Sequence, residues 1–260
     1  MSVVSLELLI LIIVFFGIAL LYASVGFGGG SSYLAILTLV FTSFFVIRST
    51  ALLCNLTVVT SSCYLFYKKG HLHLKKFLPF VVTSVPMAFW GASFRLEETV
   101  FFIILGISLI ISAITLIVQT LSLRPNYSCQ QYPPCSSYLL GAGIGLLSGL
   151  VGIGGGIFLA PVLHYMKWDK PIVIAALASF FIGVNSISGI AGLVTSHTFQ
   201  WHGPEIVGLL LAVLIGGYVG VRISLTRLSA KGIRLITAVL VLLVGVRVLV
   251  HNGFQIKLFL

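Results

Sequence analysis

The residues best suited to ligand binding in this sequence lie in two clusters of glycine. The run Val25-Gly26-Phe27-Gly28-Gly29-Gly30 recurs as Val151-Gly152-Ile153-Gly154-Gly155-Gly156. Three consecutive glycines disfavour a helix and allow a tight turn, so each cluster predicts the end of one helix and the start of another. The new helix N-terminus would present unpaired N–H groups and a partial positive charge. We therefore predict that Gly28, Gly29 and Gly30, together with Gly154, Gly155 and Gly156, bind an anion through backbone N–H groups.

Polar side chains within apolar segments extend this candidate site. Asn55 and Asn185 need hydrogen-bond partners in an apolar environment, and they could orient the glycine turns or donate to a substrate. Ser31 and Ser32 directly follow the first cluster, where they could add hydroxyl donors or cap the new helix. Two stripes at helical spacing offer either substrate contacts or interhelical packing: Thr50, Cys54, Thr57 and Ser61 in the first, and Ala175, Ser179, Ile182 and Ser186 in the second.

Few charged groups are available for this chemistry. Arg48 is expected at the outer start of an apolar segment, where it could attract anions or serve as a topological, snorkelling anchor. The five acidic residues all lie near segment ends, so no buried carboxylate is predicted for a proton relay. The motifs G-x-S-x-G, H-E-x-x-H and the P-loop are missing from the sequence. We therefore predict no catalytic residue, no metal site, no cofactor and no enzymatic activity.

The composition assigns these residues to a membrane protein. The chain has 260 residues, of which 59% are hydrophobic and only 8% are charged. Ordinary globular domains are about 25% charged. At roughly 20 residues per membrane-spanning helix, the apolar sequence predicts about eight to ten helical segments and leaves no room for a separate soluble domain. The first 47 residues contain no Lys or Arg, so the first apolar run is expected to be a retained membrane segment and not a signal peptide.

The recurrence of the glycine cluster predicts a duplication. We expect a first transmembrane repeat at 1–121, a cytoplasmic linker at 122–137 and a second, inverted repeat at 138–260. The first repeat divides into apolar segments at 6–24, 31–46, 48–67, 76–94 and 98–121, and the second at 138–151, 156–167, 171–195, 204–222 and 231–250. The first two segments of each repeat are joined at the glycines without a charged loop, which predicts a re-entrant hairpin or a broken helix.

The basic residues predict the orientation of the two repeats. The formal net charge is +10, yet the Lys and Arg residues lie in short clusters between apolar runs, which favours topology over nucleic-acid binding. Loops 68–76, 121–137, 167–170 and 222–234 hold 11 of the 15 basic residues. These loops are predicted to be cytoplasmic, with both termini outside. Equivalent loops of the two repeats differ in their content of basic residues, which predicts that they lie on opposite sides of the membrane. Inverted repeats of this kind occur in many transporters whose substrate sites lie near the bilayer midplane.

The cysteines do not indicate a metal site or a redox site. Cys129 and Cys135 flank a polar stretch of the predicted linker, and their spacing matches neither a zinc site nor a C-x-x-C motif. We expect unpaired thiols there, because a structural disulfide is uncommon in a cytoplasmic loop.

The second cluster extends backwards as Gly141-x3-Gly145-x3-Gly149-x2-Gly152-x-Gly154-Gly155-Gly156, followed by Pro161. Together with its copy, the chain length and the duplicated layout, this pattern resembles the TauE/SafE sulfite-exporter family, also called the TSUP family. The first copy departs from the pattern, because Ala19 and Ala23 replace two glycines and Ile36 replaces the proline. Gly145 and Gly149 are expected to allow close helix packing.

The resemblance implies a multi-pass transporter of the cell inner (plasma) membrane that moves sulfur-containing anions. We expect export of sulfite, a sulfonate or a related small organic anion by alternating access. Without a carboxylate relay, the inside-negative potential is the favoured driving force. Coupling through histidine or a cation remains open, as does homo-oligomerisation. A passive anion channel, or a carrier of another small carboxylate or sulfur compound, is the alternative, and an intramembrane enzyme is a remote one.

Overall fold

Every secondary-structure element in the described part of the chain is helical. The computed structural model describes residues 3–40, 43–94, 96–121, 130, 132–200, 203, 205–226 and 230–253. These ranges contain ten α-helices and no strand, which confirms the all-α prediction. In chain order they are α1 (Val3–Ala23), α2 (Gly30–Val40), α3 (Phe44–Lys68), α4 (Leu74–Ser93), α5 (Glu98–Leu121), α6 (Pro134–Val151), α7 (Gly156–Tyr165), α8 (Pro171–Thr195), α9 (Glu205–Thr226) and α10 (Ala230–Arg247), followed by a π-helical segment at Val248–Gly253.

Several of these helices are long and apolar enough to cross a membrane. Five described helical ranges meet that description, at Phe44–Lys68, Glu98–Val118, Pro134–Val151, Pro171–Thr195 and Ile206–Ile223. Large apolar side chains also point outward, among them Ile13, Ile111 and Leu243, which are 61%, 60% and 66% exposed. In a bilayer such faces meet lipid, so the molecule is a multi-pass membrane protein.

The predicted boundary between the second and third segments is wrong. The sequence places a break near residue 47, but α2 ends at Val40 and α3 begins at Phe44, after Ser43 in an extended conformation. The true junction contains neither Gly nor Pro and is flanked by apolar residues on both sides, so hydropathy could not locate it. As a consequence Arg48 lies one turn inside α3 instead of at the start of a segment.

Helices α3 and α8 form the centre of the bundle. In their most apolar stretches 67% and 72% of the residues are buried, against 39% to 44% in the other three spanning candidates. The two central helices pack on each other, and around them α4 packs on α6, α1 on α9 and α5 on α10. Residues of α3 and α8 are therefore shielded by neighbouring helices on several sides.

Equivalent contacts occur in the two halves of the chain. A Cβ atom at Gly91 in α4 would meet the Leu146 carbonyl of α6, and one at Gly220 in α9 would meet the Leu20 carbonyl of α1. Gly145 and Gly149 of α6 lie against the backbone of Ser84 and Ala88 in α4, which confirms the predicted close packing. The membrane orientation of the two halves stays a prediction.

The connection between α6 and α7 reverses the chain direction. The Tyr132 hydroxyl donates to the Met166 carbonyl at 2.8 Å, and the Gln130 N–H donates to the Lys167 carbonyl at 3.0 Å. The segment preceding α6 therefore touches the segment following α7, and both lie at one end of the bundle. The Lys76 ammonium also reaches Asp169 there, at 2.9 Å, so residues from three loops predicted to share a side of the membrane share an end of the molecule.

Candidate functional site

Both glycine clusters form tight turns between helices, as predicted. The first joins α1 to α2 and has left-handed backbone at Gly26 (φ +88°) and Gly29 (φ +85°). The second joins α6 to α7 and is left-handed at Gly152 (φ +73°), Gly154 (φ +80°) and Gly155 (φ +79°). Residues with a side chain adopt this conformation only at a cost of about 1–2 kcal/mol, which explains the glycines at these positions.

The two turns meet on the central helix α8. The same methyl group, Cγ2 of Ile182, lies 3.2 Å from the Cβ position of Gly28 and 2.7 Å from that of Gly154. Along α8, Ala175 approaches Gly26 of the first turn and Ser186 approaches Gly154 of the second. The second predicted stripe is therefore the surface against which both turns pack.

Each turn leaves backbone donors without acceptors. Among the described residues, no acceptor bonds the N–H groups that begin α7, at Gly154, Gly155, Gly156 and Ile157, whereas the next two N–H groups both reach the Gly155 carbonyl. The first turn has the same arrangement, with Ser32 and Tyr33 bonding the Gly29 carbonyl. These N–H groups and the helix dipoles make both turns favourable places for negative charge.

Each central helix holds the turn that belongs to the other half of the chain. The Ser179 hydroxyl of α8 donates to the Gly26 carbonyl at 3.1 Å, and the Asn55 Nδ2 of α3 donates to the Ile153 carbonyl at 2.8 Å. Asn55 thus contacts a glycine turn, and its role in orienting that turn stays a prediction. We call these two hydrogen bonds the crossed clamps.

The first turn is lined by side chains that contact each other. The Tyr22 and Ser32 hydroxyls lie 2.6 Å apart, and Ser31 lies 3.4 Å from the same tyrosine oxygen. The Asn55 amide lies against Gly28 and Gly30, and its unpartnered Oδ1 is 2.5 Å from the Cβ position of Gly28. The Tyr33 ring, stacked on Phe15, fills the space beside Gly29.

The second turn is lined by donors without partners. The Ser186 Oγ lies 3.0 Å from the Cβ position of Gly154, the Ser148 Oγ 3.2 Å from that of Gly155, and the Arg48 Nε 3.3 Å from that of Gly152. None of these three atoms has a hydrogen-bond partner, and the three residues are at most 2% exposed. Buried polar atoms without partners are uncommon in proteins and require an explanation.

Arg48 is a buried cation. Its Nη2 donates to the Gly149 carbonyl near the C-terminus of α6 at 2.5 Å, and its guanidinium lies 5.8 Å from the centre of the Phe101 ring. No carboxylate of the described residues forms an ion pair with Arg48. Arg48 is only 2% exposed, so it is not a surface anchor, and its role in attracting anions stays a prediction.

Other predicted polar residues have varied surroundings. Asn185 is 1% exposed and neither of its amide atoms has a partner. Thr57 and Ser61 of the first stripe donate to carbonyls of their own helix at 2.8 Å and 2.7 Å, as interhelical packing residues commonly do. Thr50 of the same stripe is fully buried and its Oγ1 has no hydrogen-bond partner. The turn contacts made by α3 come from Asn55 and Arg48, which lie beside the stripe.

Sequence reasoning missed Ser148 and Tyr22. In the register of the glycine clusters the two residues are equivalent, because each precedes its cluster by the same number of positions. A tyrosine in one copy and a serine in the other indicates that the turns are lined differently. Ser186 was part of the predicted stripe but was not assigned to the site.

No metal site accompanies the turns within the described ranges, where no three His, Cys, Asp or Glu residues are grouped closely enough to hold an ion. Cys54 and Cys63 are free thiols inside α3, and Cys135 is a free, exposed thiol at the start of α6. Cys129, and with it most of the predicted linker, lies outside the described residues.

Comparisons with known proteins agree with this architecture. The chain is 35% identical over 243 residues to a Sinorhizobium fredii protein named probable membrane transporter protein y4hK, covering 92% of this chain and 97% of that protein. It is 25% identical over 224 residues to the Bacillus subtilis probable membrane transporter protein YunE, covering 79% and 81%. No solved structure matches significantly. A family model described as sulfite exporter TauE/SafE matches residues 10–248, and the chain therefore belongs to that family of membrane transporters.

Proposed function

We propose that the protein exports a small sulfur-containing anion, such as sulfite, a sulfonate or a related organic anion, by alternating access. The anion binds at the two glycine turns, where backbone N–H groups replace part of its hydration shell. Membership of the TauE/SafE family supports transport of this class of substrate. The buried position of the turns, between the central helices α3 and α8, supports a site that neither side of the membrane reaches without a conformational change.

The main support for the proposal is the buried Arg48 beside the second turn. A buried cation is costly unless an anion or strong hydrogen-bond acceptors compensate its charge. Here one helix carbonyl accepts from the guanidinium and Nε is left without a partner. A transported anion supplies the missing charge during each cycle.

The membrane potential supplies the driving force in this mechanism. An inside-negative potential is worth roughly 2.3 kcal/mol per charge per 100 mV and favours the exit of anions. The acidic residues of the sequence lie near segment ends, which leaves no obvious carboxylate for proton coupling. Export driven by charge movement needs no further cofactor.

The paired contacts of the two halves support alternating access. Carriers built from inverted repeats exchange equivalent conformations around a central site. The packing of Gly91 on Leu146 and of Gly220 on Leu20 gives equivalent helix contacts in each half. We propose that these paired contacts, with the predicted opposite orientation of the repeats, allow the site to face each side in turn.

Counterflow of labelled sulfite in proteoliposomes tests the proposed function. A carrier gives saturable counterflow, whereas a passive channel, the main alternative, gives none. A carrier of a different small carboxylate or sulfur compound would exchange that compound and leave sulfite untouched. The remote enzyme alternative would be supported only by a chemically altered substrate recovered from the vesicles.

Glycine substitutions test the location of the site. Gly28→Val, Gly154→Val and Gly155→Val are expected to abolish counterflow while leaving membrane insertion intact. The matched control is Gly143→Val, because this glycine is exposed on α6 and a Cβ there would meet no atom within 4 Å. Normal counterflow by correctly inserted turn variants would contradict the proposed site.

A further inference from the structure

The two turns share a backbone motif but differ in what surrounds it. Tyr22 lies at the position equivalent to Ser148, and in the register that pairs Ala51 with Ala176, Arg48 is equivalent to the apolar Val173. The duplication therefore supplied two helix N-termini, only one of which has a buried cation beside it. Because the surrounding side chains differ, we expect the two turns to have different roles in anion binding.

The first turn is occupied by the protein's own groups. The hydroxyls of Ser31 and Ser32 are engaged with Tyr22. The unpartnered Asn55 Oδ1, which is an acceptor, lies against Gly28. An anion at this position would meet the partial negative charge of that oxygen, and the Tyr33 hydroxyl, 3.0 Å from the Cβ position of Gly29, is a buried donor without a partner there. The buried arginine lies beside the second turn, so the first turn is the less favourable of the two for an anion.

The second turn has the opposite character, because its unpartnered side-chain atoms can all donate. They are the Ser148 and Ser186 hydroxyls and the Arg48 Nε, and all three residues are buried. An acceptor with several oxygen atoms would satisfy the hydroxyls, the guanidinium and the free N–H groups of α7 together. Hydrogen bonds from charged donors to anions are the strongest that side chains form.

We propose that the second turn alone holds the transported anion, with the Ser148 and Ser186 hydroxyls and the Arg48 Nε as its side-chain donors. This inference rests on the proposed function and narrows its site. The ligand class is a compact oxoanion with at least two acceptor oxygens, because apolar atoms of Phe181 and Ile182 lie within 3 Å of the Cβ positions of Gly155 and Gly154 and leave little room for a bulky group.

Counterflow of labelled sulfite as a function of concentration tests the assignment. Ser148→Ala and Ser186→Ala are each expected to raise the KM by about tenfold, the loss expected for one hydrogen bond to a charged ligand. Their maximal rates should change much less. Substitutions at the equivalent positions of the first half, Tyr22→Phe and Ser61→Ala, should leave the KM unchanged, because Tyr22 bonds serines and Ser61 bonds its own helix.

Sulfite-dependent thermal stabilisation of the purified proteins gives a second measurement for any variant with low transport. Wild type and the two control variants should be stabilised by sulfite, and Ser148→Ala and Ser186→Ala much less at the same concentration. Unchanged KM and full stabilisation in both serine variants would overturn the assignment while leaving the transport function in place. Absence of both sulfite counterflow and sulfite stabilisation in the wild type would instead overturn the proposed function, and the assignment with it.

Discussion

Two helix–turn–helix segments, α1 with α2 and α6 with α7, carry the same glycine motif in different surroundings, and we call them the first and the second hairpin. In the first, Tyr22 contacts the serines that follow the turn, and an amide lies across the glycines. In the second, a smaller serine leaves its hydroxyl free beside Gly155, and an arginine lies beside Gly152. The same backbone shape is therefore surrounded by different side chains in the two halves, and the proposed division into a structural turn and a binding turn rests on this difference.

The far ends of the two hairpins differ in the same way. After α2, the Ser43 hydroxyl donates to the Gln200 Oε1 at 2.9 Å, and the Gln200 N–H donates to Ser49 at 3.2 Å. After α7, Asp169 pairs with Lys76 at 2.9 Å. Both contacts join a hairpin to the opposite half of the chain, but one is neutral and the other is charged.

The largest effect is expected from removing the cation that distinguishes the second turn. Arg48→Gln should lower sulfite counterflow by about 10- to 100-fold, because a hydrogen bond to a charged group is worth about 1.5–3 kcal/mol. Initial rates in proteoliposomes measure it. Arg222→Gln is the control, since Arg222 is exposed and lies over the Tyr218 ring. Equal losses in both variants would show that Arg48 acts only as a general positive charge.

A smaller effect is expected from the hydroxyl that closes the first turn. Tyr22→Phe leaves the Ser32 hydroxyl without its 2.6 Å partner inside the protein, and should lower the free energy of unfolding by about 1–3 kcal/mol. Thermal unfolding in detergent measures the change. Stability equal to that of the wild type would mean that the first turn does not depend on this contact. It would contradict the structural role assigned to the first turn.

The smallest effect concerns the charged end of the second hairpin. Burial raises the pKa of the Asp169 carboxyl, but hydrogen bonds from Lys76 and from the Lys170 N–H, together with electrostatic attraction to Lys76 and His73, outweigh this effect, so the pKa lies below its ordinary value of 3.8. The carboxylate therefore stabilises the fold at pH values above 3.8, and the stabilisation is lost as the pH falls through the lower, folded-state pKa.

Melting temperatures of wild type and Asp169→Asn should accordingly differ slightly at neutral pH, because an ion pair with a largely exposed lysine contributes little, and should converge in acid. Ser43→Ala, at the neutral end of the first hairpin, should show a difference from wild type that does not vary with pH over the same range. A pH-independent effect of Asp169→Asn would mean that the ion pair does not hold this end of the hairpin.

Much of the fold could be predicted from the sequence, because glycine, proline and charge mark most helix ends. Pro171 begins α8 as predicted, at a position where the missing N–H costs nothing, whereas α6 begins at Pro134, four residues before the predicted segment 138–151. The glycine clusters end α1 in the first half and α6 in the second. The junction between α2 and α3 was missed because Thr42 and Ser43, the two polar residues there, are flanked by apolar residues and accompanied by neither Gly nor Pro.

The candidate site was predictable in its backbone and less so in its side chains. The glycines and Asn55 could be identified because their residue types are unusual in an apolar segment. Ser148 could not be separated from the many small residues that only pack helices. The burial of Arg48 depends on α6 ending beside it, which is a tertiary contact that local sequence does not encode.

The crossed clamps have a consequence for biogenesis. During synthesis the first turn emerges long before α8, so the Gly26 carbonyl lacks its Ser179 partner until most of the chain has been inserted into the membrane. The Asn55 amide likewise lacks its acceptor, the Ile153 carbonyl, until that part of the second half has been synthesised. The nascent first half therefore cannot complete its own turn, and an arrested chain would hold an unfinished site. Both clamps can form only once the chain has been made at least as far as Ser179 in α8, so the two turns are completed late in synthesis.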